Sequence, residues 1–544
     1  MSAGALTVAT VAPEASPRPG RAVSGLALRQ IRRSGLVTAV LAAGMTALVV
    51  STYEQVMADP AAVRGLQALA GNAAIRTLFG EPSGLDTAGG FTVWRIGTVT
   101  AVLLAAWSIL ATTRITRGEE DAGRWDVLLA GRVPLREAVT RHLAVAMIVP
   151  VAAGLAIGAV LLAAGTPLAG TAVHSVGTAA LGLFFVAAAA LAAQVFPARS
   201  LATGAAFALL GVGLLARMVG DGVTELGWLR WLSPFGLLAL GGPYVHDRAL
   251  PVAVLIAVTA AVTVAARLAA GHREVRGALV RSRTGRAARL GLLGSVEAFA
   301  VRRVLRPLTG WTLGVGAYYL LIGLTAVSVT AFLADNAGLA DQAEQAGFAS
   351  LRSIAGFTAT LFAVLAMPAG VFAATRLGAF VAAENDRRLT SLMAQPISRA
   401  RLIGAETIAT AAAATMLVTA AGLAVWAGAA TTGGYLPLLA ALRGAWNVLP
   451  IGLLSLGAAV LAAGWAPRWT GIIGALPSVG GFLLLVIADS IAAPRWLHAI
   501  SPFDHLAPVP LTTVNWTPTT VMTAAALLLI TAGAAGYQRR DLAA

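Results

Sequence analysis

The apolar positions of this chain fall in long blocks, separated by short segments that carry Arg, Asp, Glu, Pro and Gly. Each block is about 20 residues, the length an α-helix needs to cross the hydrocarbon of a bilayer. Blocks near 34–52, 93–113, 143–165, 172–196, 201–219 and 251–269 are followed by a second series near 311–333, 353–375, 402–428, 446–465, 470–488 and 517–536. The pattern predicts an all-α integral membrane protein of about twelve transmembrane helices. Composition agrees: 58% of the 544 residues are hydrophobic, 12% are charged and the mean hydropathy is +0.80. A soluble multidomain protein is excluded on those figures.

Charge then adds an orientation. All 39 basic residues are Arg, and cytoplasmic loops collect positive side chains. With a cytoplasmic N-terminus, thirty fall in inner segments; the other nine are Arg64, Arg76, Arg95, Arg217, Arg230, Arg248, Arg352, Arg443 and Arg495. Both termini are therefore expected inside a bacterial plasma membrane. The net charge of +15 follows from this topology and from anionic inner-leaflet lipid, so no nucleic-acid partner is needed. Residues 1–23, rich in Ala, Pro and Ser, are expected to be a disordered cytoplasmic tail, with six-helix halves at 24–290 and 291–544. Cysteine is absent, and His142, His174, His246, His272, His498 and His505 lack metal-ligand spacing, so no metal site is expected.

The two halves repeat one another. Residues 120–130 read EDAGRWDVLLA and 384–394 read ENDRRLTSLMA, matching Glu120 with Glu384, Arg124 with Arg388, Leu128 with Leu392 and Ala130 with Ala394. Residues 221–239 and 489–507 match at Asp221/Asp489, Trp228/Trp496, Leu229/Leu497, Ser233/Ser501, Pro234/Pro502 and Phe235/Phe503. Each half also opens on a basic, partly apolar segment, LALRQIRR at 26–33 and FAVRRVLR at 299–306, of a kind that lies along a membrane interface. An even number of spans per copy makes the repeat parallel, with a pathway expected between the halves.

Lys is absent, so this chain has no phosphate-binding GxxxxGK[ST] loop, and no soluble stretch is long enough for a nucleotide-binding domain. It is expected not to be an enzyme by itself. Ion-coupled transporters place carboxylates inside their spans. Here the acidic residues are expected near the outer boundary (Asp221, Glu225, Asp489) or in inner loops (Glu119, Glu120, Asp121, Asp126, Glu137, Glu384, Asp386), with none well inside a span. Energy delivered from the cytoplasmic face fits that distribution.

At these residues the chain resembles the permease subunits of ABC-2 type exporters. The inner loop between their second and third spans runs from an acidic residue through an Arg and a Leu-rich run to a basic stretch. Glu120, Arg124, Leu128, Arg132 and Arg136 follow that order, as do Glu384, Arg388, Leu392, Pro396, Ser398, Arg399 and Arg401. The first copy departs at Arg132, where the family often has Pro. The resemblance covers nearly the whole chain after residue 24, and the fused length looks like actinobacterial exporters linked to tetronasin-like polyketide antibiotics and multidrug efflux. It implies that the loops dock on cytoplasmic ABC ATPase subunits, two copies of which bind ATP and Mg, while this chain holds no cofactor. It also implies that the outer Ser-Pro-Phe segments are re-entrant turns.

The implied function is export of hydrophobic small molecules, with Pro234, Phe235, Pro502 and Phe503 as an outer gate and Trp107, Phe207 and Phe362 along the pathway. Other readings stand beside these. Glu120 with Arg124, and Glu384 with Arg388, have the spacing of a helical ion pair worth about 0.2–0.5 kcal/mol, which a purely structural helix would also use. Arg132, Arg136, Arg399 and Arg401 fit either an acidic partner or ordinary positive-inside anchoring. Trp228 and Trp496 suit an interfacial aromatic belt, and Trp107, Phe207 and Phe362 suit helix packing. An ion-driven transporter with a six-plus-six repeat is the alternative function, and a membrane scaffold is a third. The outer stretch 53–92, with an amphipathic segment at 61–79, is assigned no role.

Overall fold

The computed structural model describes residues 19–57, 76–77, 80–82, 84–131, 133–280, 291–335, 353–386, 388–389, 392, 395–490 and 493–540. Arg132, most of the amphipathic segment at 61–79 and residues 1–18 of the expected tail lie outside them. Among the described residues, twelve helices are long and apolar enough to cross a membrane. They are α1 (Pro19–Ser51), α2 (Ala88–Asp121), α3 (Leu135–Ala163), α4 (Leu168–Val195), α5 (Arg199–Gly222), α6 (Ala249–Gly271), α7 (Val296–Asp335), α8 (Ile354–Asn385), α9 (Arg399–Thr431), α10 (Leu438–Trp465), α11 (Pro467–Leu485) and α12 (Trp516–Arg539). Each overlies one predicted block, because in lipid the backbone must satisfy its hydrogen bonds within the segment.

Two expectations change at the helix starts. Residues 19–23, read as tail, already belong to α1, which opens on Pro19, a residue that costs nothing where the first N–H groups have no helical acceptor. The basic segments 26–33 and 299–306 are not separate interfacial helices; they belong to the N-terminal parts of α1 and α7. At 40 residues α7 is about 60 Å long, twice the hydrocarbon thickness, so its basic end has room to project.

The chain divides into two compact units. One contains residues 1–55, 81–220 and 225–284; the other contains 56–80, 221–224 and 285–544. Within the first unit α1 packs on α3, α2 on α4 and α4 on α6. Within the second α7 packs on α9, α8 on α10 and α10 on α12. The same order of pairings thus recurs in each unit, as an internal repeat requires. Small residues permit the closest of these crossings: a Cβ on Gly323 of α7 would lie 2.3 Å from the Val425 carbonyl of α9. The core of the first unit gathers Phe184, Phe185, Leu210, Phe235 and Leu255, and that of the second gathers Tyr319, Phe362, Leu365, Val425 and Phe503.

Candidate functional site

The loop between the second and third spans is built in the first unit by two breaks in helical regularity. A π turn at Arg114–Gly118 rotates the end of α2, and Gly123, at φ 75°, then reverses the chain into a short helix, Arg124–Leu129. Glu120 and Arg124 therefore do not share a continuous helix, and the ion pair their spacing predicts does not form. Arg124 instead donates to Glu119 from Nε and Nη2, at 2.6 and 2.7 Å.

Glu120 faces inward and is 1% exposed. Both Nη atoms of Arg273 donate to its carboxylate, Nη2 at 2.7 Å, and the Arg276 amide adds a bond of 2.6 Å. Arg273 Nε reaches Gln194 Oε1 at 2.8 Å, tying in the end of α4. Beside it the buried Arg117 donates to Asp121 at 3.1 Å and to the carbonyls of Gly277 and Pro197 at 2.7 and 2.6 Å. Asp121 in turn accepts the amide of Arg199, at the start of α5, at 2.8 Å. These bonds fasten the ends of α2, α4 and α6 and the start of α5 to one another.

In the second unit α8 ends at Asn385, so Glu384 and Arg388 are also separated by a helix end, and each has another partner. Arg388 donates to Asp386 at 2.7 Å. The Glu384 side chain, largely shielded from solvent, accepts from Arg540 and, at 3.2 Å, from the Tyr537 hydroxyl, both at the end of α12. In each unit, then, the repeated Glu binds the chain at the exit of that unit's last span. The sequence separations match: 153 residues for Glu120 to Arg273 and for Glu384 to Tyr537, and 156 for Glu120 to Arg276 and for Glu384 to Arg540.

The loop helix is anchored by Trp125, buried against Val139, Leu143, Ala190 and Ala266, with its ring 5.2 Å from that of His142. Leu389, at the matching position of the second copy, is buried against Ala373, Phe380 and Leu402. The match of Trp125 with Leu389 carries no identity, and only the shared requirement for an apolar side chain could have revealed it. Opposite Trp125, Val127 is 81% exposed, and Arg124 and Asp126 on the same short helix are exposed too. Arg136 is exposed as well. Arg399 folds back onto the Arg540 and Gln538 carbonyls, and the exposed Arg401 donates to Glu297 of α7 at 2.7 Å.

The Ser-Pro-Phe segments are also equivalent in detail. Ser233 caps the short helix Pro234–Leu240 and donates to the Gly213 carbonyl at 2.5 Å; Ser501 caps Pro502–His505 and donates to the Gly481 carbonyl at 2.8 Å. Both acceptors lie 20 residues upstream. Pro234 is buried and Pro502 half-buried. Phe235 and Phe503 are buried within their own units, Phe235 with its ring 5.8 Å from Phe185 and Phe503 5.6 Å from Phe482. Trp228 and Trp496 are exposed. Farther along the first segment the Tyr244 ring lies against Gly89 and Gly170, and its hydroxyl is 2.8 Å from Thr171 Oγ1. Burial pushes this phenol above its ordinary pKa.

Of the aromatics assigned to the pathway, Trp107 is buried and donates to Ser34 Oγ at 3.3 Å, Phe207 is half-buried, and Phe362 is buried and stacked on Tyr319 at 6.2 Å. All three are packed within their units. One acidic residue departs from expectation: Glu406 lies inside α9, buried, bonded to Arg376 at 2.9 Å and Arg303 at 3.3 Å. A single Glu among Ala and Thr barely lowers the hydropathy of a window, so the apolar pattern conceals it. Among the described residues no group of three or more His, Asp or Glu is placed to hold a metal ion.

Twelve apolar helices among the described residues, an internal repeat and paired loop anchors define a multi-pass membrane protein. The chain belongs to the family described as multidrug efflux system permease Rv1217c, C-terminal domain, whose model matches residues 21–270 and 293–538. It is also 30% identical over 557 residues to the multidrug efflux system permease protein Rv1217c of Mycobacterium tuberculosis, a match that covers 100% of each chain. The chain is accordingly a plasma-membrane permease of this family.

Proposed function

We propose that this chain is the transmembrane subunit of an ATP-driven ABC-2 type exporter, moving hydrophobic compounds out of the cell with energy from a separate ATPase. Family membership across both halves carries the reading. In this proposal the chain is two parallel six-helix repeats with both termini cytoplasmic, and two ATPase subunits, holding ATP and Mg, meet the two inner loops. The repeated Glu residues act as loop anchors, and the exposed surface around Val127, Arg124 and Asp126 in one copy and Arg388 in the other meets the partner. Arg136 extends that surface, with Arg399 and Arg401 bracing its second copy. The Ser-Pro-Phe turns, with Pro234, Phe235, Pro502 and Phe503 packed beneath them, close the outer end. A tetronasin-like polyketide is one substrate class compatible with the apolar spans.

Glu406 is the one observation that favours ion coupling as a second reading, because intramembrane carboxylates mark ion pathways in secondary transporters. Its engagement by two guanidiniums argues for a fixed charge and against a site that exchanges protons. Transport in inverted vesicles separates the readings. ATP-driven accumulation of a hydrophobic dye that persists when the proton gradient is collapsed is expected. Accumulation driven by the gradient without ATP would overturn the proposal.

A further inference from the structure

The triad around Glu406 has properties a structural ion pair does not need. Glu406 is seven residues into α9 and Arg376 nine residues before the end of α8, about 10 and 14 Å along their axes. Two guanidiniums face one carboxylate, leaving one positive charge in a setting where an uncompensated ion is costly. Arg376 is 7% exposed, and its Nε has no acceptor among the described residues. Arg303, the more accessible member, donates to Glu406 at a long 3.3 Å and otherwise rests near the rings of Phe299 and Phe380, at 5.9 and 5.5 Å from their centroids.

The first unit lacks this charge. The shift that aligns Glu120 with Glu384 puts His142 opposite Glu406, and the shift that aligns 26–33 with 299–306 puts Gln30 opposite Arg303. The triad is therefore not a feature the two copies share. One turn beyond Arg303 stands the exposed Arg306, and Val301, Leu305 and Leu313 on the same helix are exposed apolar side chains. A molecule with an anionic head and an apolar body would find both partners on α7.

We propose that Arg303 and Arg376 form a binding site for the anionic head of an amphiphile, a phosphate or carboxylate on an apolar tail, and that Glu406 competes with that head for the two guanidiniums. The inference stands apart from the efflux reading, since binding needs neither ATPase nor transport. Its test uses the full chain in an uncharged detergent, titrated with dodecyl phosphate and dodecanoate, with zwitterionic dodecylphosphocholine as control and the thermal midpoint as readout. The two anions are expected to raise the midpoint saturably, and R303Q, which installs the residue of the corresponding first-unit position, is expected to bind about tenfold more weakly. R376Q should do the same.

E406Q should bind both anions more tightly than wild type, because the competing carboxylate is gone. Equal binding by wild type and R303Q, or weaker binding by E406Q, would overturn the proposal. Native mass spectrometry separates the sources. An anionic phospholipid retained by wild type and lost from R303Q identifies lipid; saturable dodecanoate binding with no phospholipid retained identifies an acidic cargo. The absence of both retention and saturation overturns the site. If R376Q does not fold, R303Q and E406Q, whose expected shifts have opposite sign, carry the test.

Discussion

Arg273 closes both Nη atoms on the carboxylate of Glu120, 153 residues earlier in the chain, and the pair is almost fully removed from solvent. A loop residue whose type and position suggest contact with a partner is thus a core residue of its own unit. Removing it leaves Arg273 and Arg117 buried beside an absent charge. Glu120→Ala is expected to cost about 3–5 kcal/mol, with Glu120→Gln losing less because the amide oxygen still accepts. Thermal unfolding of the detergent-solubilised chain measures both, and wild-type stability in E120A would contradict the assignment.

The exposed side of the loop behaves differently. Val127→Asp and Arg388→Glu alter side chains that lie at the surface, so stability is expected to change by no more than about 0.5 kcal/mol. Efflux of a hydrophobic dye from cells carrying either variant should nevertheless fall several-fold. Equal efflux at equal expression would mean that these faces do not transmit energy.

The two serine caps offer a test of the repeat as architecture. Ser233→Ala and Ser501→Ala each remove a cap and a bond to a glycine carbonyl on the preceding span, and each is expected to lower stability by about 1–2 kcal/mol. Denaturation of the two variants side by side should give similar losses. A large loss in one and none in the other would show that the turns are held by different forces.

Tyr244 demands two glycines. A Cβ on Gly170 would lie 2.3 Å from the Tyr244 ring, so Gly170→Ala is expected to cost about 1–3 kcal/mol through overpacking. Combining it with Tyr244→Ala should cost less than the sum of the two single changes, because the collision partner has gone. Strict additivity in a double-mutant cycle would refute the contact.

The spans were legible because hydrocarbon imposes a length and an apolar composition that no soluble segment shares. The repeat was legible at Trp228/Trp496 and Ser233/Ser501 because rare or contiguous residues survive divergence. Pairing was not. Local spacing put Glu120 with Arg124, whereas the partner is Arg273, brought in by the return of α6 and the turn at Gly123. Nor did a pattern read by average hydropathy disclose Glu406, whose burial depends on two Arg residues from other helices. Phe235 and Phe503 showed the same limit: the Ser-Pro-Phe triplet marks a turn, but only packing shows that their rings face the cores of their own units.

Affinity purification of the tagged full chain in mild detergent, followed by an ATPase assay of the eluate, tests the central claim most directly. The account predicts that an ABC ATPase co-purifies with wild type and is depleted when Val127→Asp and Arg388→Glu are combined, while the thermal midpoint of the chain stays unchanged. Recovery of the chain without any ATPase, even after crosslinking, would contradict it.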